Sequence, residues 1–595
     1  MSHQVKKNVG VKLHSGGATF RVWAPFAETV SLRGTFSEGQ ELPMTSEKDG
    51  YWTIQIDKVS VGHTYKYIIQ ATDGMILEKN DPRARALTNS DNGESVITEN
   101  DFEWKVPSFT APHKDMQVIY ELHIGTFNRP DEATPGTFYT AIEKLDYLVE
   151  LGVTTIELMP VTSMAFGYGW GYAPNYIFSV ESMLGGRHGL LSFVDACHQR
   201  GISVILDVVY NHFFPTTDLW QFDGWSENDR GGIYFYNDER GDTPWGGRPD
   251  YGRAEVRQFI LDNVTMWLSE YQLDGLRIDS TIYMRNTEGR DGDPTHDIPE
   301  AWSLLQEITH LAHQLNPNAV IIAEDAASSP DVVRDSDSNG AGFDAQWALG
   351  FPHAIRDAFG LKSGQAQTLD TLVYQLEHAT FSDITFSDSH DTAANGSKRL
   401  NQEEVILHTS TKDALKKQML AATITLTTPG IPMLLQGSEF LQPGAFNDWQ
   451  ALDWNRSEHY NGIILAHRHL IDLRLNRHST TKGLTGASIA IIHRNDEQMV
   501  VAYHRWSKGG DNDDVIVVVN CGYSELIDYH FNLPYAGDWK DIFYSAWSGY
   551  SSQFETQVSP VFTAKDADAT LSLAPLSAVI IARRDSNISN NGPMV

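Results

Sequence analysis

The sequence predicts an α/β protein, a (β/α)8 TIM barrel flanked by an N-terminal and a C-terminal antiparallel β-sandwich. Three observations predict it. Short apolar strands alternate with amphipathic helices through the middle of the chain, while strand-type alternation fills both ends. A chain of 595 residues is too long for a single compact core. Eight strand candidates fall in the middle segment, the number that closes a parallel barrel.

Residues 8 to about 105 alternate apolar and polar positions, as in Ala18-Thr19-Phe20-Arg21-Val22-Trp23 and Tyr65-Lys66-Tyr67-Ile68-Ile69, broken by Gly, Asp and Pro. They read as the strands of a small sandwich assigned to residues 1–110. The stretch 106–112 carries two prolines and little periodicity, so it reads as a linker. The barrel is assigned to 111–480, with strands at 118–120, 153–158, 202–209, 275–279, 319–323, 343–347, 384–387 and 431–435. Between them Ile142, Leu145, Leu148 and Val149 recur at helical spacing. Phe193 and Cys197 mark a second helix, and Val256, Phe259, Ile260, Val264, Trp267, Leu268 and Tyr271 form the clearest stripe. A further helix ends near Leu315, where Asn316-Pro317-Asn318 turns the chain. Such alternation implies parallel pairing through crossovers, because parallel neighbours cannot be joined by a tight turn. β patterning returns at 489–493, 500–503 and 515–520, giving a C-terminal sandwich over 481–584, and the polar stretch 585–595 reads as a flexible tail.

Composition excludes several function classes. The 77 Asp and Glu outnumber 45 Lys and Arg, and a net charge of −32 disfavours any phosphate backbone, so no nucleic-acid partner is expected. The basic start has no apolar segment behind it, and no run of 18 apolar residues occurs. Neither a signal peptide nor a membrane span is read, and the expected location is cytoplasmic. Two cysteines far apart, Cys197 and Cys521, cannot supply a disulfide framework or a thiolate metal site. No HxH or HExxH spacing is present either. The 15 Trp, 23 Tyr and 26 Phe suit a core and suit stacking on sugar rings equally. The oligomeric state is left open.

Chemistry in such barrels sits at the C-terminal strand ends. There the chain offers Asp207 to His212, Arg277-Ile278-Asp279, Glu324-Asp325 and His390-Asp391. Paired carboxylates fit glycoside hydrolysis, in which one attacks the anomeric carbon and another protonates the leaving oxygen. Arg277 lies two residues before Asp279 on a strand, hence on the same face, where its charge favours an ionised nucleophile. Glu324 follows Ile321-Ile322-Ala323, so partial burial fits it for proton donation. Asp391 is left to grip hydroxyls and support an oxocarbenium-like state. Taken singly, each Asp also reads as a helix cap and each His as a structural residue. The conjunction favours a site.

These four segments resemble the conserved regions of the α-amylase superfamily of glycoside hydrolases, in order and over nearly the whole chain. The resemblance implies a retaining reaction on α-glucosidic bonds, with Asp279 as nucleophile, Glu324 as acid/base and Asp391 as transition-state stabiliser. It implies that Arg277 positions the nucleophile, that Asp207, His212 and His390 belong to the substrate site, and that Trp170-Gly171-Tyr172 supplies an aromatic platform with Tyr172 on the sugar. Packing of Tyr172 into the rim is the alternative. Phe20-Arg21-Val22-Trp23-Ala24-Pro25 looks like the module preceding the barrel in glycogen branching enzymes, malto-oligosyltrehalose trehalohydrolases and debranching enzymes. Ala323-Glu324-Asp325, Gly437-Ser438-Glu439-Phe440 and Leu452-Asp453-Trp454 resemble branching enzymes, whereas the 207–213 segment and Thr243-Pro244-Trp245-Gly246 look closer to trehalohydrolases. Ser280 stands where Ala is usual. Asn211 aligns with a calcium ligand of many amylases, yet relatives with the N-terminal module often dispense with calcium, so no metal and no cofactor are expected. The expected partner is an α-glucan or maltooligosaccharide, and the expected reaction is branching-type transglycosylation forming α-1,6 links. Hydrolysis of α-1,4 linkages, of trehalohydrolase or amylase type, is the alternative, and an inactive glucan-binding scaffold is a remote one. Trp52 and other aromatics of the N-terminal module either stack on glucan or pack against the barrel.

Overall fold

The computed structural model describes residues 8–90, 93–99, 101–361, 366–401, 411–554 and 562–583; the tail expected at 585–595 lies outside them. Eight strands form one closed parallel sheet in chain order: Ile119–Leu122 (β1), Thr155–Leu158 (β2), Ser203–Val208 (β3), Gly275–Ile278 (β4), Val320–Ala323 (β5), Ala345–Trp347 (β6), Asp383–Thr385 (β7) and Ile431–Leu435 (β8). Nearly every residue in them is buried. That is why they read as continuous apolar runs and not as alternating ones.

The chain divides into two compact units. The first comprises Met1–Ala111, His123–Glu143 and Glu157–Asp344. Within it, β3 and β4 pair in the register Asp207↔Arg277, and β4 and β5 in the register Ile278↔Ala323. An acid and an arginine two residues from Asp279 are therefore fixed side by side by the sheet. Helix Ala254–Thr265, continued by a π-helical turn Met266–Glu270, buries Val256, Phe259, Ile260, Val264 and Trp267, the predicted stripe. Helix Pro299–Leu315 starts with proline, which has no N–H to satisfy there, and buries Leu304, Leu305 and Ile308. It stops before Pro317, as read from the sequence.

The N-terminal segment of this unit forms two antiparallel sheets built on Gly10–His14, Gly17–Trp23, Ala27–Gly34, Tyr51–Asp57 and Thr64–Ala71. It is bonded to barrel residues of the same unit. Phe26 N–H donates to Asp223 at 2.9 Å, and Asn80 N–H to Asp218 at 3.1 Å. Arg83 pairs with Asp262 at 2.8 Å and Arg85 with Glu270 at 2.7 Å. Trp52 is half-buried and donates its indole N–H to Ala24 O at 3.0 Å. Trp23 packs edge-on against Tyr234. Trp23, Arg83 and Arg85 thus meet barrel residues, whereas the Trp52 bond stays within the N-terminal sheets.

The second unit comprises Pro112–Leu122, Lys144–Ile156 and Ala345–Val595. Its strand β1 pairs with β8 (Ile119↔Met433, Glu121↔Leu435), and β7 pairs with β6 and β8. Helix Leu145–Leu151 buries Leu145, Leu148 and Leu151, whereas Val149 is 42% exposed. Leu145 and Leu148 of the predicted stripe are buried, and the i, i+3 series 145, 148, 151 continues it through Leu151, so Val149, one residue after Leu148, turns away from the core. The C-terminal part forms a sheet of Ser488–Asn495, Val500–Trp506, Val515–Asn520, Ser577–Arg583 and Trp539–Tyr544, with a second sheet of Leu526–Asn532, Asp568–Leu573 and Thr563–Lys565. Val500, Ile516, Val518, Leu571, Val579 and Ile581 share one core, each contributing about 1.5–3 kcal/mol by full burial. Among the described residues, no helix is long and apolar enough to cross a membrane.

Candidate active site

Arg277, on β4, is 1% exposed and carries three carboxylates. Its Nη1 donates to Asp207 Oδ2 at 2.6 Å and to Asp279 Oδ1 at 2.9 Å, and its Nη2 lies 3.0 Å from Glu324 Oε2. Asp207 also accepts the Tyr172 hydroxyl at 2.6 Å. Asn211 Nδ2 donates to Asp279 Oδ2 at 2.7 Å and to the Asp279 carbonyl at 2.9 Å. Both oxygens of Asp279 are thus held, one by a cation and one by an amide. Asp207, Tyr172, Asn211, Arg277, Asp279 and Glu324 form one connected network.

The backbone sets the aim of these groups. Ser280 adopts φ 41°, ψ 57°, a left-handed conformation that costs a non-glycine residue energy. That turn brings the Ser280 N–H onto Glu324 Oε2 at 2.9 Å, while Thr281 N–H and Oγ1 donate to the Glu324 carbonyl at 2.8 and 2.9 Å. The residue after Asp279 therefore fixes Glu324. At Gly171 φ is +101°, and a Cβ there would lie 2.5 Å from Pro160 O, so only glycine brings the loop close enough to place Tyr172.

The electrostatic balance at Asp279 differs from the one that strand spacing implies. Burial pushes its carboxyl above the usual range; Arg277 opposes this, the charge of Asp207 adds to it, and hydrogen bonds from Asn211 and Glu324 oppose it. Burial likewise raises Tyr172, with Asp207 adding to it, so the phenol remains a donor. Burial lowers His212 to about 4. Its Nδ1 faces Asn211 Oδ1 at 2.6 Å and its Nε2 the Tyr172 carbonyl at 3.0 Å, and the neutral ring can donate to only one of these acceptors.

Asp325, the neighbour of Glu324, is completely buried and holds Arg285 through both oxygens at 2.9 Å. It is tied to a cation and is a support of the loop. Trp170 lies half-buried two residues before Tyr172. Trp245, 45% exposed, places its ring 5.5 Å from His212 and 4.8 Å from Tyr283. The sequence displays it only as part of Thr243-Pro244-Trp245-Gly246.

In the second unit, β7 leads to His390 and Asp391. His390 is buried between Trp347 and Phe446. Its backbone N–H donates to Glu121 Oε2 at 3.0 Å, and its Nδ1 contacts Glu121 Oε1. Glu121, the third residue of β1, is not singled out by the sequence. The only signal was an acid inside an otherwise apolar strand. Asp391 is exposed and accepts Asn395 Nδ2 at 2.7 Å. After β8, Glu439 is fully buried, accepts the hydroxyls of Tyr120 at 3.0 Å and Tyr147 at 2.9 Å, and has no hydrogen-bond partner at Oε2. Burial pushes it up to about 7. Among the described residues, no group of three or more His, Cys, Asp or Glu is arranged to hold a metal ion.

The closed parallel barrel with a carboxylate cluster at its strand ends defines a (β/α)8-barrel enzyme. Residues 121–245 and 219–461 match the family described as alpha amylase, catalytic domain. Residues 8–84 match carbohydrate-binding module 48 (isoamylase N-terminal domain), and 491–584 the alpha amylase C-terminal all-beta domain. The chain belongs to the alpha-amylase family. It is 32% identical to a malto-oligosyltrehalose trehalohydrolase of Saccharolobus solfataricus, over 73% of this chain and 76% of that one. It is 29% identical to a 1,4-alpha-glucan branching enzyme of Nocardia farcinica, over 95% of this chain and 78% of the other. A pullulanase type I from Bacillus subtilis, solved with maltose, shares the fold with a TM-score of 0.77 at 20% identity, over 98% of this chain and 86% of that one.

Proposed function

We propose that the chain cleaves α-1,4-glucosidic bonds with retention of configuration. The observation that carries this is the single buried guanidinium of Arg277, bonded at once to Asp207, Asp279 and Glu324. In this reading Asp279 attacks the anomeric carbon and forms a glycosyl-enzyme ester. Glu324 gives its proton to the departing glycosidic oxygen, then takes one from the incoming hydroxyl as that oxygen displaces Asp279. Asp391 supports the positive charge that develops on the sugar ring, and Tyr172 and His390 orient the ring.

The acceptor decides between two outcomes. Likeness to branching enzymes over 88–95% of this chain favours transfer to a sugar 6-hydroxyl, which forms α-1,6 links. The 32% identity to a trehalohydrolase supports hydrolysis as the second reading. Amylose incubated with the protein separates them. New α-1,6 branches with little gain in reducing ends mark transfer; release of short saccharides, or of trehalose from a trehalose-capped chain, marks hydrolysis. Asp279→Asn should lower kcat by on the order of 10⁴-fold or more and leave the thermal midpoint nearly unchanged. Near-normal turnover would remove Asp279 from the mechanism.

A further inference from the structure

The loops after β4 and β5 line an open cavity of about 550 Å³ whose lining includes none of the groups assigned to catalysis. Ligand pockets span roughly 300–1,000 Å³. Its walls carry Arg285, Asp291, Asp297, Trp302, Asp331 and Asn339. Arg285 is already neutralised, by Asp325 on one side and Asp291 on the other. Asp297 and Asp331 add two more carboxylates, so the wall repels anionic ligands. Asp297 accepts from Asn286 at 3.0 Å and Asp331 pairs with Arg334 at 2.6 Å. A carboxylate has about four acceptor positions, so each keeps lone pairs for hydroxyl donors. Trp302 is half-buried with its N–H directed to Asn339 O at 3.3 Å. An apolar indole surface among unspent acceptors is the pairing that a neutral polyhydroxylated ring satisfies, its C–H face on the aromatic and its hydroxyls on the acids.

We propose that this cavity binds a short segment of neutral saccharide, a second glucan-binding site beside the acid/base loop; the proposal rests on the reading of the chain as an α-glucan enzyme. Arg285 joins the two places, since the carboxylate it holds belongs to Asp325, the residue after Glu324. A chain seated on Trp302 is thereby registered against the loop that carries the proton donor.

The test compares the full-length parent with Trp302→Ala, Trp302→Phe and Ser329→Trp, the last placing bulk in the cavity lining. Each is assayed on amylose and on α-maltosyl fluoride, too short to reach both sites. Trp302→Ala and Ser329→Trp should raise KM for amylose about 10-fold, equivalent to about 1.4 kcal/mol, leave kcat on the fluoride unchanged, and abolish a maltotriose-binding event in calorimetry of the Asp279→Asn background. Trp302→Phe should restore most of the affinity. Unchanged KM and maltotriose binding in folded variants overturns the proposal, as does a parallel loss on both substrates, which would make Trp302 a support of the loop alone. A parent inactive on both substrates overturns the α-glucan reading instead, and calorimetry with maltotriose then still reports on the cavity.

Discussion

Asp279 is pulled in two directions, by burial and the charge of Asp207 upward and by Arg277 downward, and burial prevails. A raised carboxyl becomes protonated at higher pH than an ordinary aspartate. The acid limb of kcat/KM, where the nucleophile loses its charge, should therefore lie above the aspartate reference of about 3.9. Asp207→Asn removes a charge that raises Asp279, so the limb should move to lower pH even as kcat falls; a pH–rate series on α-maltosyl fluoride measures it. An upward move would mean that Asp207 acts mainly by holding Arg277 in place. At this scale much of the cluster was legible, because Arg277 and Asp279 share a strand face and Asp207 is their cross-strand neighbour. Glu121 was not, since its partner His390 lies 269 residues away, a separation that spacing cannot cross. Nor was the role of Asp325, which the sequence presents as a twin of Glu324 and the fold commits to Arg285.

At the scale of elements, the two N-terminal sheets behave as an extension of the first unit. Arg83 is the clearest bond between them and the barrel residues. Its side chain is 8% exposed, its guanidinium pairs with Asp262, and it lies 5.1 Å over the Phe259 ring. Arg83→Ala should destabilise the protein by about 1–3 kcal/mol through lost packing and an unpaired acid, read as a lower thermal midpoint with unaltered KM. Truncation near residue 110 should give aggregating protein, because it uncovers the barrel surface against which Trp23 and Arg83 pack. A soluble monodisperse truncate on size exclusion would show that the sheets fold as an independent module. Strand positions were readable wherever a strand was apolar on both faces. The partners of exposed polar side chains across elements were not, because many acids and arginines in this sequence could pair and only the fold selects among them.

For the molecule as a whole, Glu439 links stability to pH. Its folded value of about 7 against 4.5 for the free side chain means that between these limits the folded state holds a proton the unfolded chain has released. The stability this group contributes is fully present below about pH 4.5 and falls as pH rises toward 7, by roughly 3 kcal/mol over the window. Glu439→Gln should flatten this slope, and urea titrations at several pH values between 4.5 and 7.5 would measure the difference. A parallel slope in both proteins would mean that the Tyr120 and Tyr147 hydroxyls keep Glu439 ionised. The pairing of β1 with β8 has a further bearing, on synthesis. Ile119 and Met433 are neighbours in the finished sheet, yet at about 5–20 residues per second the ribosome takes roughly 15–60 s to supply the second after the first. Throughout that interval β1 emerges as an unpaired edge, open to wrong partners. The sheet closes on that side only when β8 arrives, and the bond of Glu121 to His390 waits likewise on a late segment.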